Sequence, residues 1–197
     1  MAKQHPDLSC AWAPADDALY RGYHDTEWGV PEYDARALWE KLQLDGMQAG
    51  LSWITILRKR ETMRAAFDDF DPERVARWDE ARIEKALQDP GIIRSPAKIK
   101  ACIGNAQAWL DAMEKGEDFS DWLWSYVDGK PLVSAYKDYR DSPTKTPMSE
   151  QLAKDLKKRG HKVCGPVIVY AFMQAVGMIN DHEIGCERHA ACKALAR

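Results

Sequence analysis

The sequence predicts an all-α protein, and three observations carry that prediction. Apolar residues recur at helical period almost throughout the chain. Helix start and stop signals punctuate it, with Asp34, Asp71-Pro72-Glu73 and Ser95-Pro96 on the entry side and Gly116 and Gly160 on the exit side. No internal repeat or low-complexity tract divides it.

In order, Asp34 is expected to cap a helix carrying Ala37, Leu38 and Leu42 on one face. A glycine-containing break at Gly46 to Gly50 separates it from a second run, Ser52 through Ile54, Leu57, Met63 and Phe67. Asp71-Pro72-Glu73 supplies a cap, an early proline and an acid for a helix bearing Val75 and Trp78. A short helix around Ile83 to Leu87 stops at Asp89-Pro90-Gly91, and Ser95-Pro96 opens a longer one through Ile99, Ile103, Ala106, Leu110 and Met113. Trp122 to Val127 reads as a short aromatic helix and Gly129 to Pro147 as a loop. Ser149 to Lys158 is amphipathic. Pro166 to Met178 is apolar nearly all round, which marks it as the central buried helix.

At 197 residues, 45% hydrophobic and 30% charged, the chain is expected to form one soluble domain over residues 1–197. No apolar run is long enough to span a bilayer, and residues 1–7 lack the apolar core of a signal peptide. A cytoplasmic location is the expectation, and there the five cysteines are thiols or metal ligands rather than disulfides. The net charge of -3 gives no support to nucleic-acid binding, so any positive surface for DNA must be local.

Three constellations carry chemistry. Cys10 and His24 near one end, with His182 and Cys186 near the other, offer two thiolates and two imidazoles, a full tetrahedral set for structural zinc. His182 and Cys186 share a face if their segment is helical. The short spacing equally suits buried thiols and unrelated histidines, and His189 and Cys192 compete as ligands. Cys102 and Cys164 fall on apolar faces and read as core. Next, Trp12, Tyr20, Tyr23 and Trp28 crowd one segment, and Asp45 stands among glycines before Trp53. An acid with aromatics suits a pocket for a flat cationic ring, and core aromatics with a solvated acid explain the same letters. Finally, Arg94 and Lys98 flank a turn into a helix start, where exposed amides hold phosphate, and Lys157 to Lys162 form a second basic run. Short basic runs are more often solvated helix ends.

Several strings resemble the 3-methyladenine DNA glycosylase I family of the helix-hairpin-helix glycosylase superfamily. They are Tyr23-His24-Asp25, Glu27-Trp28-Gly29-Val30-Pro31, Gln48-Ala49-Gly50-Leu51-Ser52-Trp53-Ile54-Thr55, Gly91-Ile92-Ile93-Arg94, Ile103-Gly104-Asn105-Ala106, Tyr170-Ala171-Phe172-Met173-Gln174-Ala175 and Asn180-Asp181-His182. They run collinearly from about Cys10 to Cys186. The resemblance implies a helix-hairpin-helix glycosylase-like fold whose terminal segments are tied by one structural zinc on Cys10, His24, His182 and Cys186. It implies an aromatic base pocket of Trp12, Tyr20, Tyr23, Trp28 and Trp53, with Asp45 as the catalytic acid where the family has glutamate. Gly50 and Leu51 would enter the duplex, and Arg94 and Lys98 would lie near its backbone, although Ser95-Pro96-Ala97 replaces a more basic turn. The implied reaction is monofunctional hydrolysis that flips 3-methyladenine out of double-stranded alkylated DNA and releases the free base, by a monomer. A weak or inactive damage-binding protein of the same fold is the alternative. Asp181 is expected to orient its neighbour His182.

Overall fold

The computed structural model describes residues 9–195, so the leader reading of residues 1–7 lies outside the described residues. Helices dominate: α1 Ala18–Thr26, α2 Ala35–Gln48, α3 Trp53–Ala66, α4 Pro72–Val75, α5 Glu80–Leu87, α6 Pro96–Glu114, α7 Phe119–Trp124, α8 Pro147–Lys158, α9 Pro166–Ala175 and α10 Glu187–Ala194. Their starts follow capping chemistry. Asp17, Asp34, Asp71, Asp79, Ser95 and Asp118 each accept a backbone N–H from the first turn of the helix they precede. Thr146 and Ser149 form a reciprocal capping box at α8.

The all-α expectation holds, with corrections at particular elements. Gly46 does not break α2; it is buried within the helix, and the chain turns only at residues 49–52. The apolar stretch from Pro166 leaves the helix at Ala175, because Gly177 takes φ +72°, and a Cβ there would stand 2.5 Å from the backbone of Val30 and Pro31. The released chain forms β2, Ile179–Asn180, which pairs in parallel with β1, Leu132–Val133, inside the stretch read as loop. α1 and α10 were not expected from periodicity; α1 is rich in charged and aromatic residues, and α10 is short and mostly exposed.

The core runs through the whole helical body. α9 packs between α8 and α2, α2 meets α3, and α4 lies along α6. Trp39, Phe67, Phe70, Phe172 and Ile99 are among its fully buried side chains. Buried Asn105 of α6 takes an N–H from Lys162 and donates to Gln43 Oε1 and the Lys162 carbonyl, so it ties α2 to the turn between α8 and α9. No helix among the described residues is long and apolar enough to cross a membrane.

Candidate functional site

The four predicted metal ligands converge. Cys10 Sγ, His24 Nε2, His182 Nδ1 and Cys186 Sγ are buried and lie within 4.8 Å of one another. Cys10 Sγ is 3.4 Å from His182 Nδ1, and Cys186 Sγ is 3.6 Å from both His24 Nε2 and His182 Nδ1. Zn–S bonds of about 2.3 Å and Zn–N bonds of about 2.0 Å at tetrahedral angles give S···N edges of roughly 3.5 Å, so the donor set fits the ion. Each imidazole is turned correctly for it. His24 Nδ1–H donates to Asp25 Oδ1 at 2.7 Å and His182 Nε2–H to the Trp28 carbonyl at 2.9 Å, which leaves the facing nitrogens free to ligate. Hydrogen bonds from Cys10, and then from His182 and His24, hold the Cys186 thiol well below its ordinary range.

Two premises about this cluster are corrected. His182 and Cys186 are not on a helix; residues 181–186 form a turn, and Cys186 stands at the N-terminal boundary of α10. The competitors point elsewhere, with His189 Nε2 bonded to the Ser134 carbonyl and Cys192 near Arg188. Gly29 (φ +78°) is required beside the cluster, since a Cβ there would meet His182 Nε2 at 2.8 Å.

The aromatic residues also converge. Trp12, Tyr20, Tyr23, Trp28 and Trp53 line one cavity of about 360 Å³ together with Asp45, a volume suited to a purine. Trp12 packs edge-on to Trp28 at 4.9 Å, and Tyr23 stands 5.2 Å from Trp53. The metal cluster backs this wall directly: Trp28 packs at 4.6 Å against His182, and Trp12 at 5.2 Å against His24. A metal tie would therefore hold the pocket wall as well as the chain ends.

Asp45 is 3% exposed, and Lys41, one turn earlier on α2, places its ammonium 2.7 Å from both carboxylate oxygens. Burial raises the Asp45 carboxyl and lowers the Lys41 ammonium, and their mutual attraction opposes both shifts. Burial, then the Asp45 charge, pushes the Tyr23 hydroxyl well above its usual value. Lys41 was missed in the sequence because a Lys/Asp pair at i,i+4 is the ordinary signature of an exposed helix face.

The opposite wall carries residues that composition did not single out: Tyr139, Ser142, Val167, Tyr170 and Gln174. Asp181 organises it and does not orient His182. Its carboxylate accepts from Ser134 Oγ (2.5 Å), Ser142 Oγ (2.8 Å), Tyr170 OH (2.6 Å) and Gln174 Nε2 (2.8 Å). These bonds clip residues 134–142 to α9 over the cavity. Asp181→Asn removes acceptor capacity from a site 1% exposed and is expected to cost about 2–3 kcal/mol. Urea unfolding checks this, and a loss below about 0.5 kcal/mol would mean that the network holds nothing.

The proposed DNA contacts lie apart from the cavity lining. Gly50 (φ +76°) and Leu51, 42% exposed, form the turn between α2 and α3. Arg94 is exposed before α6. Lys98 differs: its ammonium donates to the carbonyls of Met47 (2.8 Å) and Ala49 (2.7 Å), so it braces that turn from below.

Known proteins share this arrangement. The methyladenine glycosylase family model matches residues 12–189. DNA-3-methyladenine glycosylase 1 of Escherichia coli (strain K12) is 51% identical over 177 residues, covering 90% of this chain and 94% of the relative. A crystal structure of 3-methyladenine DNA glycosylase I superposes with TM-score 0.90 at 52% identity, covering 92% of this chain and 99% of that one. A variant of such an enzyme, solved in complex with 3-methyladenine, gives TM-score 0.88 at 39% identity over 92% and 97% of the two chains. The family match over most of the length, with those identities, means that this chain belongs to the methyladenine glycosylase family.

Proposed function

We propose that this chain is a monofunctional repair glycosylase that flips 3-methyladenine from double-stranded alkylated DNA into the aromatic cavity and hydrolyses its N-glycosidic bond. The observation that carries the reading is the cavity itself, where five aromatic residues predicted to form a base pocket meet Asp45. The protein would act as a monomer in the cytoplasm, as one domain of helix-hairpin-helix type.

The chemistry asks little of the protein. A purine methylated at N3 in DNA is a cation, so its bond to the sugar is already weak. Water adds to the sugar carbon, the bond's electron pair returns to the base, and a proton goes to solvent. Free neutral base and an abasic site remain. Stacking on Trp and Tyr faces favours the bound cation by roughly 0.5–2 kcal/mol per good contact. Asp45 accepts from the exocyclic amine.

Gly50 and Leu51 would fill the gap the base leaves, Arg94 would meet phosphate, and Lys98 would serve by stiffening their turn. Zinc on Cys10, His24, His182 and Cys186 would supply no chemistry beyond a structural tie. No lysine is placed for strand cleavage: Lys41 is held by Asp45, so its ammonium is not a free nucleophile.

Incubating the protein with methylated duplex DNA is expected to release 3-methyladenine and leave strands that break only on alkali treatment. Trp53→Ala should slow release by about 10- to 100-fold through loss of one stacking wall. Tight binding to the damaged duplex without any base release would sink the enzymatic reading and leave a damage-binding protein.

A further inference from the structure

The polar end of the cavity is an ion pair rather than a lone carboxylate. Lys41 Nζ spans both oxygens of Asp45 at 2.7 Å and stands 4.1 Å from the centroid of the Trp53 ring. Both residues line the cavity, and no other hydrogen bond reaches Asp45 among the described residues. Behind Lys41, Glu27 and Arg60 are occupied with each other at 2.5 and 2.9 Å, so neither competes for the pair. The indole N–H of Trp53 is buried without a partner, a further unmet donor in the same wall.

A bare carboxylate only accepts hydrogen bonds. It suits an exocyclic amine and repels a keto oxygen at the same position. A lysine beside it changes what the pocket can read. An aminopurine offers its amine to Asp45 and the adjacent ring nitrogen to Lys41. An oxopurine offers N1–H to Asp45 and O6 to Lys41. Either edge leaves every buried polar group satisfied, and the penalty that would reject the keto base disappears. The pair also carries no net charge, so much of the carboxylate's attraction for a cationic ring is already spent on Lys41.

We propose that Lys41 is a specificity-determining residue that admits N3-methylated oxopurines to the base pocket alongside the aminopurine. The proposal rests on the reading of this cavity as a base pocket.

The test compares release of 3-methylguanine and 3-methyladenine from methylated duplex DNA by the native protein, Lys41→Met and Lys41→Gln. The guanine-to-adenine release ratio is expected to fall about tenfold or more in Lys41→Met, because O6 then faces a carboxylate with no donor. In Lys41→Gln the amide keeps a donor, and the ratio should stay within about threefold of native. An unchanged ratio in Lys41→Met, or an equal fall in Lys41→Gln, overturns the proposal; a lysine that merely supports the fold would slow both bases together.

A second measurement needs no variant. Native protein titrated with each free base, read by tryptophan fluorescence, is expected to bind the two within about tenfold of each other. A preference above about 100-fold for 3-methyladenine overturns the role of Lys41 while leaving the proposed function standing. Failure of both bases to bind or to be released overturns the function and this proposal with it.

Discussion

Adding zinc to the metal-free protein is expected to raise its unfolding midpoint by about 10 °C, and Cys186→Ser is expected to abolish that response. A ligand present at about a thousand times its Kd stabilises by about 4 kcal/mol, and a protein of this size gains roughly 2–4 °C per kcal/mol. The prediction follows from geometry. The ligand–ligand distances of 3.4 to 3.6 Å are those of donors around one small ion, and each histidine is locked in the ligating orientation by its outer nitrogen. Cys10 and Cys186 lie far apart in sequence, so the ion would close most of the chain into one loop. Cys192→Ser serves as the control: Cys192 is as buried as the ligands but outside the cluster, so the zinc response should survive. Because Trp28 and Trp12 pack on the two histidines, zinc should also sharpen tryptophan fluorescence and tighten base binding. A midpoint that is identical with and without zinc would dismiss the metal reading.

Much of this fold was legible because its helices announce themselves locally. Asp71-Pro72, Ser95-Pro96 and Asp34 begin helices as capping chemistry requires, and the apolar faces of α2, α6 and α8 follow the helical period. What failed was whatever tertiary contact decides. Gly177 ends α9 because Val30 and Pro31 pass against it, a contact with no local trace. β1 and β2 are two residues each, too short for any alternation to register. The metal ligands were identifiable by residue type, yet the reason they converge is a turn rather than the helical face their spacing suggested. In the pocket, the aromatic residues were found by their density near the N-terminus. The far wall escaped because Tyr170 and Gln174 sit in an apolar helix and Ser142 in a polar loop, and only Asp181 brings them together. The same limit hid Lys41, whose burial no pattern on α2 reveals.

That hidden lysine makes Asp45→Asn more damaging than loss of one hydrogen bond. The amide oxygen still accepts from Lys41 and from an exocyclic amine, so shape and much of the bonding persist. What disappears is the charge that neutralises Lys41. The variant pocket then presents an uncompensated ammonium to a cationic base, and two like unit charges about 4 Å apart repel by about 4 kcal/mol at an effective dielectric constant near 20. Release of 3-methyladenine is expected to fall by about 10²- to 10³-fold, chiefly in kcat/KM. The charge argument separates itself from simple loss of a contact through a double-variant cycle. If the repulsion from Lys41 is responsible, Lys41→Met added to Asp45→Asn removes the stranded cation and should recover about tenfold of the loss, although it restores no carboxylate. If the carboxylate acts only by accepting the amine, the second substitution recovers nothing. Asp45→Glu keeps the charge on a longer arm and should retain most of the release. An Asp45→Asn protein that releases base within about twofold of native would show that neither charge nor contact at this position contributes to the transition state, and the acid would then be part of the pocket's frame alone.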